Sequence, residues 1–264
     1  MPVSNTEKQR TEFFDRLAER GSGALVLDYD GTLAPFNKDR NAAFPYAGVQ
    51  ELISAIMGTA TRVVLVSGRR AEEVKNLLGV SPAPEIWGVH GLQRLHPDGR
   101  CENVALKDRE TKALKEAAVW LERNGLMHLS EQKPGSIAIH WRGLPADESQ
   151  RIAGKVLSGW KVFAAQEQMS LLEFDGGVEL RIAGSDKGKA VLTVHDELDS
   201  HTPLAFLGDD ATDEDAFIAL QGTGALTVLV RPEWRKTNAK TWLRPPQGLL
   251  DFLREWLERT GGEA

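Results

Sequence analysis

The chain has a single cysteine and no long apolar segment. Among its 264 residues the only thiol is Cys101, so a disulfide within the chain is impossible, which is typical of a protein in a reducing compartment. No apolar run approaches the ~20 residues that span a bilayer, and the N-terminal stretch MPVSNTEKQR lacks the apolar core of a secretory signal. We therefore expect a cytoplasmic protein without membrane contacts, in which Cys101 is an ordinary residue of a polar surface loop.

Clusters of basic residues are also missing. The net charge is −6 and no run of Lys or Arg stands out, so the electrostatic signature of a nucleic-acid-binding protein is absent and no nucleic-acid partner is expected. The hydrophobic fraction of 41% and the charged fraction of 27% suit an ordinary globular protein. An anionic substrate would therefore need local compensation, from a metal ion or from a few well-placed Lys and Arg side chains.

Short apolar runs alternate with helical periodicity at both ends of the chain. We predict strands at 24–30, 61–70, 85–91, 203–210 and 225–230, and helices at 48–58, 71–79, 187–198, 212–221 and 248–260. Because the strands are continuously apolar and are separated by helices, we expect a parallel sheet that is covered on both faces.

The middle of the chain has a different pattern. Residues 135–143 alternate apolar and polar side chains, as in a sheet with one covered face, and Asp175-Gly176-Gly177 is typical of a hairpin turn. Here we predict helices at 107–125 and 146–159, and strands at 135–143, 160–165, 170–174 and 178–182. The expected architecture is an α/β core made of residues 1–100 and 182–264, with an α+β domain inserted at 101–181.

Three predicted core strands end in residues that can carry chemistry. Asp28 and Asp30 follow the first strand, Ser67-Gly68-Arg69 follows the second, and Asp209, with Asp213 further on, follows the fourth. In an open parallel sheet, ligands bind beyond the carboxyl ends of the strands, and the two-residue period of a strand points Asp28 and Asp30 to the same side. Carboxylates that converge repel one another unless a cation intervenes, and oxygen ligands of this kind suit Mg²⁺.

Each of these features has a plainer interpretation when it is taken alone. A pair of aspartates after a strand is often a turn or cap, and Asp213 could simply cap the helix that follows it. Their order along the chain and their common sheet edge favour an active site. Lys187, at the start of a predicted helix, would then be a single cation near a phosphate, because GSDKGKA lacks the spacing of a P-loop.

The segments DYDGT, SGR, DKG and GDDATDED occur in an order that resembles the four motifs of the haloacid-dehalogenase-like (HAD) phosphotransferase superfamily. A closer resemblance, to the trehalose-6-phosphate phosphatases, rests on LDYDGTLAPF, GVHGLQ, EQKPGSIAIHWR, GVELRIAGSDKGKA and GDDATDEDAF. This resemblance implies a Rossmann-like, parallel-sheet HAD core with the inserted α+β domain as its cap. It also implies a Mg²⁺-dependent phosphoric monoester hydrolase that forms an aspartyl-phosphate intermediate.

The superfamily pattern implies a role for each matched core residue. Asp28 would accept the phosphoryl group, and Asp30 would protonate the leaving sugar oxygen and then activate water. Ser67 and Lys187 would hold the phosphoryl oxygens, while Asp213 would orient Lys187 or a metal-bound water. Three groups would bind Mg²⁺, namely Asp28, the backbone carbonyl of Asp30, and Asp209.

In the inserted domain the same resemblance implies contacts with the sugar. Glu131, Lys133 and Glu179 would contact sugar hydroxyls, and His140 and Arg142, which share a face of the predicted strand, are further candidates. Other interpretations stay open, since His140 could lie on a solvated sheet face and Glu179 could form an ordinary cross-strand charge pair.

The leading interpretation is a phosphatase that converts trehalose 6-phosphate into trehalose and phosphate, with a small sugar phosphate as its partner. Arg69 and His90 of the core are also candidate substrate contacts, although His90 could equally anchor a loop. One alternative keeps the mechanism and changes the substrate to another glycosyl phosphate, such as glucosylglycerol phosphate or a glycosyl phosphoglycerate. A phosphomutase, or a receiver-like phospho-aspartate domain without turnover, is a weaker alternative. The sequence leaves the oligomeric state open, and a monomer is compatible with it.

Overall fold

The computed structural model describes residues 3–37, 39–167, 169–174, 176–183 and 186–262. Contacts within the chain group it into two compact units, Met1–Glu102 with Asp186–Ala264, and Asn103–Ser185. No helix among the described residues is apolar over enough of its length to cross a membrane.

The described residues contain short strands and longer helices in alternation. The strands are β1 (Gly23–Leu27), β2 (Thr61–Val66), β3 (Glu85–Gly88), β4 (Gln93–Leu95), β5 (Cys101–Asn103), β6 (Ser130–Lys133), β7 (Ser136–His140), β8 (Met169–Phe174), β9 (Gly177–Ile182), β10 (Leu204–Gly208), β11 (Leu226–Val230) and β12 (Thr241–Leu243). The helices are α1 (Val3–Arg20), α2 (Val49–Met57), α3 (Ala71–Leu78), α4 (Asp108–Arg123), α5 (Ala146–Glu167), α6 (Lys187–Asp196), α7 (Glu214–Ala219) and α8 (Gln247–Arg259).

The larger sheet has eight strands in the order β12-β11-β10-β1-β2-β3-β4-β5. The strand β1 pairs in parallel with β10 on one side and β2 on the other, so that Leu27 lies opposite Leu207 and Leu65. Pairing stays parallel from β12 to β3 and becomes antiparallel between β3 and β4. This α/β architecture on a mainly parallel sheet confirms the predicted fold class. Cys101, which we expected in a loop, begins the short strand β5 and is exposed.

Both faces of the larger sheet are buried under helices. Along β1, Leu25 and Leu27 join an apolar cluster with residues of α1, α2, α3 and α8, whereas Ala24 and Val26 join a second cluster with residues of α6 and α7. All four side chains are fully buried. A strand that is buried on both faces must be apolar at every position, which explains the unbroken run that the sequence analysis used.

Helix α1, at Val3–Arg20, was not predicted from the sequence. Phe13 and Phe14 of this helix are buried, and their rings lie 5.8 Å from Trp256 and 5.1 Å from Phe252 of α8. Aromatic pairs at such separations add to the burial of apolar area, so α1 completes one face of the core.

The second unit is a four-stranded antiparallel sheet with two helices. Its strand order is β6-β7-β9-β8, and α4 contacts β7 while α5 contacts β8 and β9. The hairpin predicted around residues 170–182 is formed by β8 and β9, although Asp175 of its turn lies outside the described residues. Ile137 and Ile139 of β7 are buried, as expected for the apolar face of a sheet that packs under helices.

The predicted strand at 160–165 is wrong, because α5 continues through these residues to Glu167. Ile152, Val156 and Trp160 are each at most 1% exposed, and their four-residue spacing is the signature of one buried helix face. Gly159 does not end the helix. A Cβ at this position would lie 2.2 Å from the Trp120 ring of α4, so this glycine allows the two helices to approach closely.

Candidate active site

Three neighbouring strands deliver polar residues to one edge of the eight-stranded sheet. Asp28 directly follows β1, Ser67 follows β2 and Asp209 follows β10, and β1 lies between the other two in parallel register. The three side chains are only 3%, 1% and 2% exposed, respectively. Buried polar groups need partners within the protein or a ligand, so this edge of the sheet is the candidate site.

The acidic residues at this edge form a cluster that could hold a cation. Asp28, Asp209 and Asp213 each offer one carboxylate oxygen, and these oxygens lie within 4.8 Å of one another. Such a donor set suits Mg²⁺ or a similar hard divalent cation. Gly31 leaves room for the Asp209 carboxylate in this cluster, since its φ is +83° and a Cβ there would lie 2.1 Å from Oδ2 of Asp209. The residues present therefore fit the metal that the sequence predicts.

Lys187 is a buried, positively charged side chain that bonds two of these three carboxylates. It is the first residue of α6, and its ammonium donates to Oδ1 of Asp28 at 2.6 Å and to Oδ1 of Asp213 at 2.7 Å. The other oxygen of Asp213 accepts the backbone N–H groups of Asp209 and Asp210, both at 2.9 Å. Asp213 therefore orients Lys187 and closes the turn that precedes it, whereas its side chain makes no capping hydrogen bond to the helix α7 that follows.

The carboxylates of the cluster carry more negative charge than the single ammonium of Lys187 balances, and their pKa values are shifted accordingly. Burial is the largest effect on Asp28 and, with Asp213 and Asp30, raises its pKa to about 7, although Lys187 acts in the opposite direction. Burial, followed by the charges of Asp28 and Asp213, likewise raises the pKa of Asp209. Burial alone would disfavour the charged form of Lys187, but Asp213 and Asp28 outweigh it and raise the pKa of that ammonium. A divalent cation would offset the remaining negative charge.

The carboxylate of Asp30 is engaged by Arg69. Nε and Nη2 of Arg69 donate to its two oxygens, both at 2.6 Å, while Nη1 donates to the backbone carbonyl of Arg40 at 2.8 Å. A bidentate pair of this kind fixes both side chains. Arg69, which we expected to contact substrate, therefore has its guanidinium bound to the predicted acid and base.

The turn Ser67-Gly68-Arg69 is shaped by the segment that follows β3. The N–H groups of Val89 and His90 donate to the carbonyls of Arg69 and Ser67 at 2.7 and 2.9 Å, and the His90 ring lies 2.7 Å from where a Cβ on Gly68 would be. Val89 and His90 both have a φ of +52°, a conformation that is rare for residues other than glycine. These contacts favour the interpretation of His90 as a loop anchor.

In the second unit, the structure brings four predicted sugar-binding residues together. Nε2 of His140 lies 3.1 Å from Glu131, and Nζ of Lys133 lies 3.7 Å from the carboxylates of both Glu131 and Glu179. Glu179 is 3% exposed and accepts a hydrogen bond from Ser136 on the adjacent strand at 2.7 Å. The result is one charged, largely satisfied polar face on the antiparallel sheet.

Arg142 is placed differently from the prediction. The strand β7 ends at His140, so Arg142 does not share its strand face. Its Cβ lies 2.8 Å from where a Cβ on Gly176 would be, and the N–H of the intervening Trp141 donates to the carbonyl of Gly176 at 2.8 Å. The β8–β9 turn thus holds this segment beyond the end of the strand.

Three residues that the sequence analysis did not single out also contact the site. The hydroxyl of Thr32 donates to Oδ2 of Asp28 at 3.3 Å, and Arg231 and Arg235 donate to the backbone carbonyls of Asp209 and Asp210 at 3.3 and 2.9 Å. One signal was available for Arg231, because it follows β11 and so lies at the carboxyl end of another core strand.

Several known proteins that resemble this chain are described as trehalose-phosphate phosphatases. The family model described as trehalose-phosphatase matches residues 26–244. The chain is 32% identical to a "Trehalose-phosphate phosphatase" of Mycobacterium marinum, with 87% of this chain and 60% of that protein covered. A protein of the same name from Mycobacterium ulcerans is 31% identical over the same shares. The chain thus spans about 60% of the length of these curated relatives.

Solved structures show the same fold. The C-terminal domain of trehalose-6-phosphate phosphatase from C. albicans matches with a TM-score of 0.78 and 20% identity, covering 94% of this chain and 96% of that one. A haloacid dehalogenase-like hydrolase from B. subtilis matches with a TM-score of 0.63 and 15% identity, covering 88% and 99%. The fold is therefore HAD-like. Since the family match runs from β1 through the middle unit to the end of β12, the chain belongs to the trehalose-phosphatase family.

Proposed function

We propose that the chain is a Mg²⁺-dependent phosphatase that hydrolyses trehalose 6-phosphate to trehalose and phosphate through an aspartyl-phosphate intermediate. The observation that carries this proposal is the ammonium of Lys187 between Asp28 and Asp213, beside the carboxylate of Asp209. A carboxylate can attack a phosphate dianion only where positive charge is fixed around the phosphoryl oxygens. Membership of the trehalose-phosphatase family supports the same chemistry.

The charged groups divide this task in the proposal. A divalent cation would be held by Asp28, Asp209 and the backbone carbonyl of Asp30, and would supply positive charge to the phosphoryl oxygens. Lys187 stabilises the same oxygens from the side of α6. The hydroxyl of Ser67 accepts the N–H of its neighbour Arg69 at 3.2 Å, which leaves its own proton for a phosphoryl oxygen.

In the first half-reaction a carboxylate oxygen of Asp28 attacks phosphorus. The bond from phosphorus to the sugar oxygen breaks, and Asp30 donates a proton to that oxygen, so that the free sugar leaves. In the second half-reaction Asp30 takes a proton from water as the water attacks the phosphorus of the aspartyl phosphate. Phosphate leaves and the carboxylate of Asp28 is restored. Because Asp30 is bonded to Arg69 through both oxygens, it must release at least one of these bonds to act.

Residues 101–181 are the cap in this proposal and provide the sugar selectivity. Glu131, Lys133 and Glu179 bind sugar hydroxyls, with His140 and Arg142 as further candidates. The charged face formed by Glu131, Lys133 and Glu179 supports this assignment, because a few convergent polar groups commonly fix the orientation of a small polar ligand.

The proposal is tested by measuring phosphate release from a panel of sugar phosphates, with Mg²⁺ or with a chelator. We expect the highest kcat/KM for trehalose 6-phosphate and loss of turnover on chelation. The panel includes glucose 6-phosphate, glucosylglycerol phosphate and a glycosyl phosphoglycerate, and a higher kcat/KM for one of the last two would change the substrate while keeping the mechanism. If trehalose 6-phosphate is no better than glucose 6-phosphate, the substrate assignment is wrong. Asp28→Asn, which keeps the shape and removes the nucleophile, should be inactive.

A further inference from the structure

The connection between β11 and β12, residues 231–240, is bonded to the acidic loop of the candidate site, residues 209–214. Arg231 donates to the backbone carbonyl of Asp209 at 3.3 Å, and Arg235 donates to that of Asp210 at 2.9 Å. Both acceptors are backbone atoms. The two arginines therefore hold the course of the acidic loop without occupying the carboxylate oxygens of the cluster.

Glu214 joins the far end of the acidic loop to the same connection. Its Oε1 accepts from Arg235 at 2.6 Å and from the hydroxyl of Thr237 at 2.7 Å. Its Oε2 accepts the backbone N–H of Asn238 at 2.8 Å and the side-chain amide at 2.9 Å. Burial alone would raise the pKa of Glu214, but these hydrogen bonds outweigh it and lower that pKa. Arg235 thus bonds both a carbonyl and a carboxylate of the acidic loop.

The acidic loop needs such support because its carboxylates repel one another and also repel Asp28. Asp209 is buried close to Asp28 and Asp213, and the repulsion between these carboxylates would move an unsupported loop away from the positions that a cation requires. Groups that hold a metal-binding segment from behind commonly affect metal affinity by roughly 10- to 100-fold.

From these contacts we infer that Arg231 and Arg235 are positioning residues, which set the affinity of the site for Mg²⁺ by holding the backbone that carries Asp209. The inference rests on the proposed function, in which Asp209 binds the cation. Both arginines bond the acidic loop through backbone carbonyls and Glu214, so their loss should weaken Mg²⁺ binding more than it slows the chemical steps once Mg²⁺ is saturating.

The test is isothermal titration of Mg²⁺ into the full chain and its variants. We expect Arg235→Ala to weaken Mg²⁺ binding by roughly tenfold or more. Arg235→Lys should recover part of the loss, since one ammonium cannot reach both the carbonyl of Asp210 and the carboxylate of Glu214 as a guanidinium fork does. The matched control is Arg254→Ala, which removes an arginine of α8 that is 44% exposed and pairs with Asp251 and should leave Mg²⁺ affinity unchanged.

A second readout separates positioning from a general loss of structure. The Mg²⁺ concentration for half-maximal phosphate release should rise as the dissociation constant does, while kcat at saturating Mg²⁺ recovers to within a few-fold of the original chain. If Arg235→Ala does not fold, as judged by circular dichroism, Arg231→Met is used instead. For this variant we expect Mg²⁺ affinity to fall by several-fold, a smaller change than for Arg235→Ala. Mg²⁺ affinities equal to that of the original chain in all folded variants would overturn the inference and leave the proposed function intact. An original chain that binds no Mg²⁺ would overturn both.

Discussion

Replacing Lys187 by methionine removes the buried ammonium that joins Asp28 and Asp213. The side chains of Lys187 and Asp28 are each 4% exposed and that of Asp213 is fully buried. Removing one partner of a buried ion pair costs about 3–5 kcal/mol, because the remaining charges lose their compensation. At roughly 2–4 °C per kcal/mol for a chain of this size, the melting temperature should fall by roughly 6–20 °C.

The cost of this substitution should also depend on pH. In the original chain the folded-state pKa of Asp28 is raised to about 7 even though Lys187 lowers it, so it must rise further when Lys187 is absent. As the pH rises above 7 the folded original chain loses this proton, which the unfolded chain has already lost. The folded variant still holds the proton, and its stability therefore keeps falling by about 1.4 kcal/mol per pH unit. The gap in stability between the two proteins should widen from pH 7 to pH 8.5.

The assay is thermal unfolding followed by circular dichroism, in a chelator and at several pH values. The matched control is Lys189→Met, the same substitution two residues later in α6, where the side chain is exposed and the cost should stay within about 0.5 kcal/mol. A Lys187→Met chain as stable as Lys189→Met, or a gap that narrows as the pH rises, would refute the idea that this ammonium neutralises the cluster.

Three glycines give further predictions. Gly31→Ala places a Cβ 2.1 Å from the carboxylate of Asp209 on a backbone with a φ of +83°, so Mg²⁺ affinity measured by titration should fall, and an unchanged affinity would contradict the proposed cation position. Gly159→Ala places a Cβ 2.2 Å from the Trp120 ring. The overpacking should reduce the free energy of unfolding by about 1–3 kcal/mol and so lower the melting temperature. In the same helix Gly154→Ala meets nothing within 4 Å and should instead stabilise by about 0.5–1 kcal/mol.

The strands of the core and the residues at their ends were predictable because burial leaves a strong local signature. A strand covered on both faces shows a continuous apolar run, as Leu25, Val26 and Leu27 do, and a polar group directly after it stands out. Parallel pairing then places the carboxyl ends of β1, β2 and β10 beside one another at one edge of the sheet. Sequence alone therefore predicted that Asp28, Ser67 and Asp209 would lie at one edge of the sheet.

The helix α5 shows where local reasoning fails. The apolar residues around Trp160 fit a short strand as well as a buried helix, and Gly159 resembled a helix end. The decisive facts are the four-residue spacing from Ile152 through Val156 to Trp160, which was available, and the position of Trp120 against Gly159, which depends on tertiary packing. Short apolar runs are ambiguous for this reason.

The ion pairs around the site could not be predicted from the sequence. Arg69 and Asp30 are 39 residues apart, and Arg235 and Glu214 are 21 apart. With 32 basic and 38 acidic side chains in the chain, nothing in the spacing selects these partners, because a salt bridge is set by where the fold brings each side chain.

The central claim is that Asp28 carries the phosphoryl group, and the Asp30→Asn variant tests it most directly. Asparagine can neither donate the proton that the first half-reaction uses nor accept the proton that hydrolysis requires, so both half-reactions should slow and the phospho-enzyme that does form should persist. The variant is mixed with trehalose 6-phosphate and Mg²⁺, quenched in acid, digested and analysed by mass spectrometry. The account predicts one phosphoryl group on the peptide that contains Asp28, and a phosphoryl group on any other residue would contradict it.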